Sequence, residues 1–171
     1  MLQKGAAKVF AIDVGTDQLD DSLRTDSRVV SMEQTNIRNV TPDMLGGQAD
    51  FLAADVSFIS LQIVLPVFTS LIKDGSRMVC LIKPQFEAGK SCVGKHGVVK
   101  DRKVHRSVIH DVLQCAVQEG LRIDGLTWSP IQGQNGNIEY LFVATKTEEN
   151  SLMDSKSIER VVDEAFLHYS E

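Results

Sequence analysis

The sequence predicts an α/β fold, in which a sheet is covered by helices that cross over between its strands. Segments of strand-like and helix-like periodicity alternate along the chain. Residues 76–82 form a continuous apolar run, which is typical of a strand buried on both faces of a parallel sheet. The 171 residues are 43% hydrophobic and 24% charged, an ordinary globular mix that excludes a disordered or fibrous protein.

The first half of the chain alternates between the two kinds of segment. In order, the predicted elements are strand 8–14, helix 18–24, strand 28–32, strand 50–55 and helix 60–73. The last helix has apolar residues every three or four positions, and Ser60 is its predicted N-cap. Asp74 and Gly75 are the predicted closing turn.

The second half continues the alternation and includes one long connection. Its predicted elements are strand 76–82, loop 84–100, helix 102–119 and strands 121–129 and 137–145. A loop as long as 84–100 inside a compact domain is usually functional. From Thr147 onward the chain is acidic, and apolar residues between Ile158 and Phe166 have helical spacing, which predicts a surface helix.

The charge of the chain is unevenly distributed. The net charge is −5, but residues 83–110 carry a net +5. A basic arm on an acidic body can serve an anionic partner such as RNA. A solvated loop and helix face accounts for the charge equally well.

Several classes of protein are excluded by the sequence. The longest nearly apolar stretch, residues 61–72, is too short to span a bilayer, and we expect no signal peptide, because no apolar run of the required length follows Met1 and Leu2. Cys80, Cys92 and Cys115 fit neither a zinc site nor a disulfide framework. The four histidines have no metal-ligand spacing. We therefore expect a cytoplasmic protein with reduced thiols, no metal site and no membrane partner.

Candidate site residues follow the predicted strands, because ligands of open α/β sheets bind beyond the carboxyl ends of the strands. Asp13 followed by Gly15 suits a ribose, because a carboxylate can accept hydrogen bonds from both ribose hydroxyls. An acid followed by glycine after a strand more often marks a turn, however. Asp55, Lys83 and Glu139 form a stronger set, because charges beside apolar strands are costly to bury unpaired. We expect both carboxylates within about one side-chain length of the Lys83 amine.

Three stretches are specific enough to resemble a known family. They are residues 55–60 (Asp-Val-Ser-Phe-Ile-Ser), 83–89 (Lys-Pro-Gln-Phe-Glu-Ala-Gly) and 94–101 (Gly-Lys-His-Gly-Val-Val-Lys-Asp), with further matches at 11–15, 35–36 and 136–139. They resemble the hemolysin A (TlyA-type) family of FtsJ-like, S-adenosylmethionine-dependent rRNA 2′-O-ribose methyltransferases. The resemblance covers roughly residues 1–145, with the motifs in the order of the family.

The resemblance implies a Rossmann-like class I methyltransferase sheet with helices on both faces. The methyltransferase catalytic domain would span residues 1–146, followed by an acidic C-terminal tail helix over residues 147–171. In the family, a first strand, a Gly-rich cofactor loop and a first catalytic lysine precede the part that matches Met1. The resemblance therefore implies a chain that lacks these parts and on its own binds S-adenosylmethionine weakly or not at all.

The resemblance also implies roles for individual residues. Asp55, Lys83 and Glu139 would be catalytic: Lys83, if neutral, would take the proton of a ribose hydroxyl, Asp55 would orient it, and Glu139 would position Lys83 or the ribose. S-adenosylmethionine would be the cofactor, with Asp13 at its ribose and Asn36 near its adenine. The implied cofactor contacts are Asp13, Val14, Gly15, Asn36 and Asp55.

The implied partner is RNA, either rRNA or a ribosomal subunit. The basic arm would contact its phosphates through Lys90, Lys95, Lys100, Arg102 and Lys103. Two other functions stay open: a non-catalytic RNA-binding or regulatory module on the same fold, and a membrane-active hemolysin. Binding of labelled S-adenosylmethionine tests the first alternative, and leakage of liposomes tests the second.

Overall fold

The computed structural model of the protein describes residues 1–149, 151 and 153–170 and divides into two compact units, residues 1–48 and 49–171. The first unit is built on two parallel strands, β1 (Val9–Ile12) and β2 (Val29–Met32). Between them lies the one-turn helix α1 (Asp21–Arg24), which is shorter than predicted. Asp20 caps α1 by accepting the Ser22 backbone N–H at 2.9 Å.

The second unit contains a four-stranded sheet of order β3–β4–β6–β5. Its strands are β3 (Ala49–Ala54), β4 (Ile72–Ile82), β5 (Leu121–Trp128) and β6 (Tyr140–Lys146). β3 and β4 are parallel, whereas β6 is antiparallel to both of its neighbours. The carboxyl ends of β3 and β4 therefore share one edge of the sheet with the amino end of β6, and the residues next to these three ends are brought together.

Helices cover one face of this sheet. α2 (Leu61–Leu71), α4 (Arg102–Gln118) and α5 (Ser155–His168) form one layer, in which α4 contacts both of the others. The core lies between this layer and alternate positions of the strands. Its fully buried members include Val64, Leu65, Phe68, Met78, Cys80, Ile82, Ile109, Val112, Leu113, Tyr140, Phe142, Ala144, Val162 and Ala165.

The opposite face of the sheet is less buried than the sequence predicts. Within the second unit, Val79 and Leu81 of β4 and Leu141 and Val143 of β6 are only half-buried. The expectation that strand 76–82 is buried on both faces is therefore wrong for this unit, because its long helices all belong to one layer. An apolar run alone does not distinguish one covered face from two.

Element boundaries differ from the prediction where turns intervene. Ser60 caps α2 as predicted, and its Oγ accepts the Gln62 backbone N–H at 3.1 Å. A short helix, α3 (Pro84–Glu87), lies inside the predicted loop 84–100, because Pro84 sets the φ angle that a first helical turn needs. β6 begins three residues later than predicted, because Gln134–Gly136 form a 3₁₀ turn.

The predicted tail helix is present as α5 and packs on α4. Its apolar face is buried through Ile158, Val161, Val162 and Ala165. Asp163 accepts hydrogen bonds from Arg106 at 2.9 and 3.1 Å. Helix α5 thus contributes to the core of the second unit, and the predicted domain boundary at residue 146 stays a prediction.

His105 on α4 is fully buried and fixes the end of the 84–100 connection. Its Nε2 lies 2.9 Å from the Val99 carbonyl oxygen, and its Nδ1 lies 2.8 Å from the Tyr140 hydroxyl. A carbonyl can only accept, so Nε2 carries the proton and Nδ1 accepts from Tyr140. Burial lowers the pKa of His105 below its usual 6.5, and the Val99 carbonyl and Asp101 offset part of this shift.

We expect His105 to make the protein less stable in acid. Since its folded-state pKa lies below 6.5, the unfolded chain binds more protons at that site in the window below pH 6.5. The free energy of unfolding therefore falls as the pH drops through that window. Chemical denaturation between about pH 5 and 8 measures the slope. His105→Gln should reduce the slope of the free energy of unfolding against pH, whereas His96→Gln, at an exposed position, should not. Equal slopes for the two variants would contradict the role of His105 in acid sensitivity.

Candidate active site

Lys83 lies at the centre of the first cluster of charged side chains. It follows β4 directly and is the N-cap residue of α3. Its Nζ lies 2.5 Å from Asp55 Oδ1 and 3.0 Å from Ser57 Oγ, both in the segment that follows β3. The Lys83 side chain is 13% exposed and that of Asp55 is 69% exposed. The predicted contact between Lys83 and Asp55 is confirmed, and Ser57 is an additional partner.

Glu139 lies in a second cluster at the same edge of the sheet. It precedes β6, is 6% exposed, and accepts a hydrogen bond from Gln85 Nε2 at 2.8 Å. Gly133 packs against its carboxylate, because a Cβ at that glycine would lie 2.6 Å from Glu139 Cδ and closer still to Oε1. Within the described residues, Glu139 forms no ion pair with Lys83. Its link to Lys83 runs instead through Gln85.

Helix α3 connects the segments that carry these side chains. Besides Lys83 and Gln85, it provides Glu87, whose Oε1 accepts the Leu61 backbone N–H at 2.7 Å and whose Oε2 accepts the Ser60 hydroxyl at 2.6 Å. Burial raises the pKa of Glu87, and these hydrogen bonds offset part of the rise. Alternate residues of one short segment thus hold the loop after β3, the residue before β6 and the start of α2.

Phe58 presents an exposed aromatic ring beside the first cluster. It follows Ser57, its side chain is 88% exposed, and its ring centroid lies 4.9 Å from that of Phe86. Its φ of 62° is unusual for a residue with a bulky side chain, and such strain is found preferentially at functional sites. Sequence periodicity gave no signal for this residue, because a single exposed aromatic residue follows no pattern.

The predicted basic arm is largely exposed and is anchored to the loop before β6. Lys90, Lys95, Lys100 and Lys103 are exposed. Arg102 is exposed as well, but it pairs with Asp163 at 3.2 Å and packs over the Phe166 ring at 5.0 Å. The buried Asn137 holds the arm, donating to the Gly97 carbonyl at 2.9 Å and accepting the Val99 backbone N–H at 3.3 Å.

The candidate cofactor residues Asp13, Val14, Gly15 and Asn36 belong to the first unit. Asp13 is exposed directly after β1, and its Oδ1 accepts the Gly15 backbone N–H at 2.7 Å. A Cβ at Gly15 would lie 2.9 Å from Gln18 Cγ and 3.1 Å from Asp13 Oδ1, so this tight turn favours glycine. Asn36 caps the next turn, its Oδ1 accepting the Arg38 backbone N–H at 3.0 Å.

The exposed carboxylate of Asp13 fits the hydroxyls of a ribose, since it presents acceptor oxygens beside a turn that has no side chain at Gly15. Val14 is 69% exposed and adds an apolar surface next to that carboxylate. The acceptor oxygens of Asp13 and the apolar surface of Val14 are therefore suited to a nucleoside.

Across residues 1–149, 151 and 153–170, no helix combines the length and apolar character needed to cross a membrane. Nor does this part of the chain bring three or more His, Cys, Asp or Glu side chains together as metal ligands.

Comparison with known proteins places this geometry in a family. A family model for FtsJ-like methyltransferases matches residues 1–146. A Bacillus subtilis protein provisionally named rRNA methyltransferase YqxC is 46% identical over 96% of this chain and 60% of its own length. The 16S/23S rRNA (cytidine-2′-O)-methyltransferase TlyA of Mycobacterium tuberculosis is 42% identical over 96% of this chain and 61% of its own length.

A solved structure from Streptococcus thermophilus, whose protein is named as a hemolysin, is 44% identical with a TM-score of 0.94. It is matched over 99% of this chain and 62% of that chain. Distant solved methyltransferases share the Rossmann-like α/β fold alone. The chain spans about three fifths of the length of the curated relatives it matches. With the family model covering most of its residues, the chain belongs to the FtsJ-like methyltransferases.

Proposed function

We propose that the protein transfers a methyl group from S-adenosylmethionine to a ribose 2′-hydroxyl of rRNA. The observation that carries the proposal is the contact of Lys83 with Asp55 and Ser57 at the edge of the sheet where ligands bind. Membership of the FtsJ-like family and the activity for which the Mycobacterium tuberculosis relative is named support the same reaction.

Lys83 is the proposed proton acceptor. To take up a proton, the Lys83 amine must first release one; the neutral amine can then donate two hydrogen bonds, to Asp55 Oδ1 at 2.5 Å and to Ser57 Oγ at 3.0 Å, and it keeps one lone pair. The lone pair of Lys83 Nζ then takes the proton of the ribose 2′-hydroxyl, while the 2′-oxygen forms the new bond to the methyl carbon. S-adenosylmethionine supplies an electrophilic methyl group on a sulfonium sulfur, which keeps the bonding electron pair as the methyl leaves. Asp55 orients Lys83, and Glu139 orients the ribose or the segment that carries Lys83.

The cofactor residues proposed in the first unit are Asp13 for the ribose and Asn36 near the adenine, with Val14 and Gly15 beside them. The exposed carboxylate of Asp13 and the tight turn at Gly15 support this assignment. In the second unit, Asp55 presents a negative charge, which would favour a positively charged group of a ligand. Its 69% exposed side chain leaves it accessible to a ligand.

The proposed RNA surface combines an aromatic ring and a basic arm. Phe58 offers a flat exposed face of the kind on which an unstacked base lies. Lys90, Lys95, Lys100 and Lys103 are exposed and suited to phosphates. Arg102, whose guanidinium is paired with Asp163, would contribute less.

Transfer of a labelled methyl group tests the proposed function. The full-length protein that contains this chain is incubated with methyl-labelled S-adenosylmethionine and either free rRNA or isolated ribosomal subunits. We expect label in RNA that depends on the protein and is competed by unlabelled cofactor. Binding of RNA without any transfer would favour the non-catalytic RNA-binding module instead.

We expect charge reversal in the arm to reduce the salt dependence of RNA binding. The triple variant Lys95→Glu, Lys100→Glu and Lys103→Glu should bind RNA more weakly, with a slope of log K against log salt reduced by roughly 0.7 to 0.9 per lost phosphate contact. The control variant reverses Lys73, Lys156 and Arg160, which changes the net charge equally at exposed positions of β4 and α5. Equal slopes for the two variants would mean that the basic arm is a solvated surface that does not contact RNA phosphates.

A further inference from the structure

Gln85 connects the two clusters of the proposed site, although the reaction described above gives it no role. It is the second residue of α3 and lies two positions after Lys83. Its Nε2 donates to Glu139 Oε1 at 2.8 Å, across 54 residues of sequence. The hydrogen bond therefore joins the segment that carries the proposed proton acceptor to the residue that precedes β6.

The other half of the Gln85 amide has no partner. Its Oε1 is buried and accepts no hydrogen bond from the described part of the chain. A buried carbonyl without a donor lowers stability, so such groups call for an explanation. Rotating the amide would turn Oε1 toward the Glu139 carboxylate, where two acceptors would repel each other. The contact with Glu139 thus determines the orientation of the amide, and the unpaired Oε1 is its consequence.

The backbone at Gly133 also confines the Glu139 carboxylate. Even a Cβ at Gly133 would lie 2.6 Å from Glu139 Cδ and closer still to Oε1. Oε1 is thus held by the Gln85 amide donor and has the Gly133 backbone close beside it. Removing the donor would leave the backbone contact but no hydrogen bond to select one orientation of the carboxylate.

We infer that Gln85 is a positioning residue for methyl transfer, which holds the Glu139 carboxylate in its reactive orientation and ties it to the segment of Lys83. This inference rests on the proposed function. Gln85 acts through Glu139 and takes no proton itself. Helix α3 thereby keeps Lys83 and Glu139 in a fixed relation, and misplacement of catalytic groups by about 1 Å costs much of the rate.

Substitution of Gln85 by methionine tests the inference. Gln85→Met keeps the length of the side chain and removes the amide donor. We expect kcat to fall about tenfold while KM for RNA and for S-adenosylmethionine stays within about twofold, because the interaction acts on the transition state. Gln114→Met makes the same chemical change at an exposed position of α4 and should leave both parameters unchanged.

A double-mutant cycle separates positioning from general packing. In a Glu139→Gln background, Gln85→Met should change the single-turnover rate by less than about twofold, because the two residues act as one unit. A fall by the same factor in both backgrounds would overturn the inference. The Tm of every variant reports folding. If Gln85→Met does not fold, Gln85→Glu has the wild-type shape, places a carboxylate against Glu139, and should lower kcat at least as much.

The outcomes also separate this inference from the proposed function. Wild-type protein that transfers no methyl group to RNA contradicts the proposed function, and the inference falls with it. Wild-type transfer together with an unchanged kcat in Gln85→Met contradicts the inference alone.

Discussion

Lys83→Met should lower methyl transfer by about 10²- to 10⁴-fold, the range that a positioned general base contributes. Methionine keeps the apolar stem of the lysine, so the packing of a side chain that is 13% exposed is retained. Asp55 would lose its partner, but its side chain is 69% exposed and water replaces the lost hydrogen bond at little cost in stability. The measurement is the single-turnover rate with saturating RNA and S-adenosylmethionine.

Lys73→Met is the matched control, because Lys73 lies on β4, the strand that Lys83 follows, and also pairs with an aspartate, Asp50, at 2.5 Å. The control should keep the wild-type rate. Calorimetric binding of S-adenosylmethionine should be nearly equal for the wild type and Lys83→Met. Equal loss of binding and of rate would make Lys83 a structural or cofactor-binding residue and would contradict its role as proton acceptor.

Gly133→Ala should lower the rate of methyl transfer by about 10²-fold, with a much smaller effect on folding. The new Cβ would lie 2.6 Å from Glu139 Cδ, so the carboxylate has to move away. The φ of Gly133 is −73°, which alanine adopts without strain, so the expected effect comes from the displaced carboxylate alone. The rate constant for methyl transfer and the Tm of the variant are the two measurements.

Gly125→Ala is the control for this substitution. Gly125 lies in β5, and a Cβ at its position meets no atom within 4 Å. This variant should therefore keep its activity. An active Gly133→Ala protein would mean that the carboxylate of Glu139 can move without cost, and Glu139 would then have no positioning role in catalysis.

The sequence predicted most elements of the fold, because their periodicity is strong. The helices at 60–73 and 102–119 correspond to α2 and α4 within two residues at each end, since each has a regular apolar face and a side-chain cap. Helix α3 was missed, because four helical residues cannot show a period inside a segment rich in glycine and proline. The coverage of each face of β4 could not be predicted either, because it depends on where distant helices pack.

The candidate site was predicted in part. Asp55 and Lys83 follow adjacent parallel strands, and this general rule was sufficient to predict their contact. Gln85 and Gly133 were missed, because their contacts with Glu139 depend on the antiparallel return of β6 beside β4. The pairing of Arg102 with Asp163 could not be predicted from a local pattern either, since the two residues lie 61 positions apart in sequence, on different helices.

The position of the transferred methyl group tests the central claim most directly. RNA labelled by the wild-type protein is digested to nucleosides, and mass spectrometry distinguishes methylation of the ribose from methylation of the base. If Lys83, held by Asp55 and Ser57, is the proton acceptor, the methyl group lies on the ribose 2′-oxygen. This ribose methylation is then lost in Lys83→Met. A methyl group on a base, or full ribose methylation by Lys83→Met, would contradict the account.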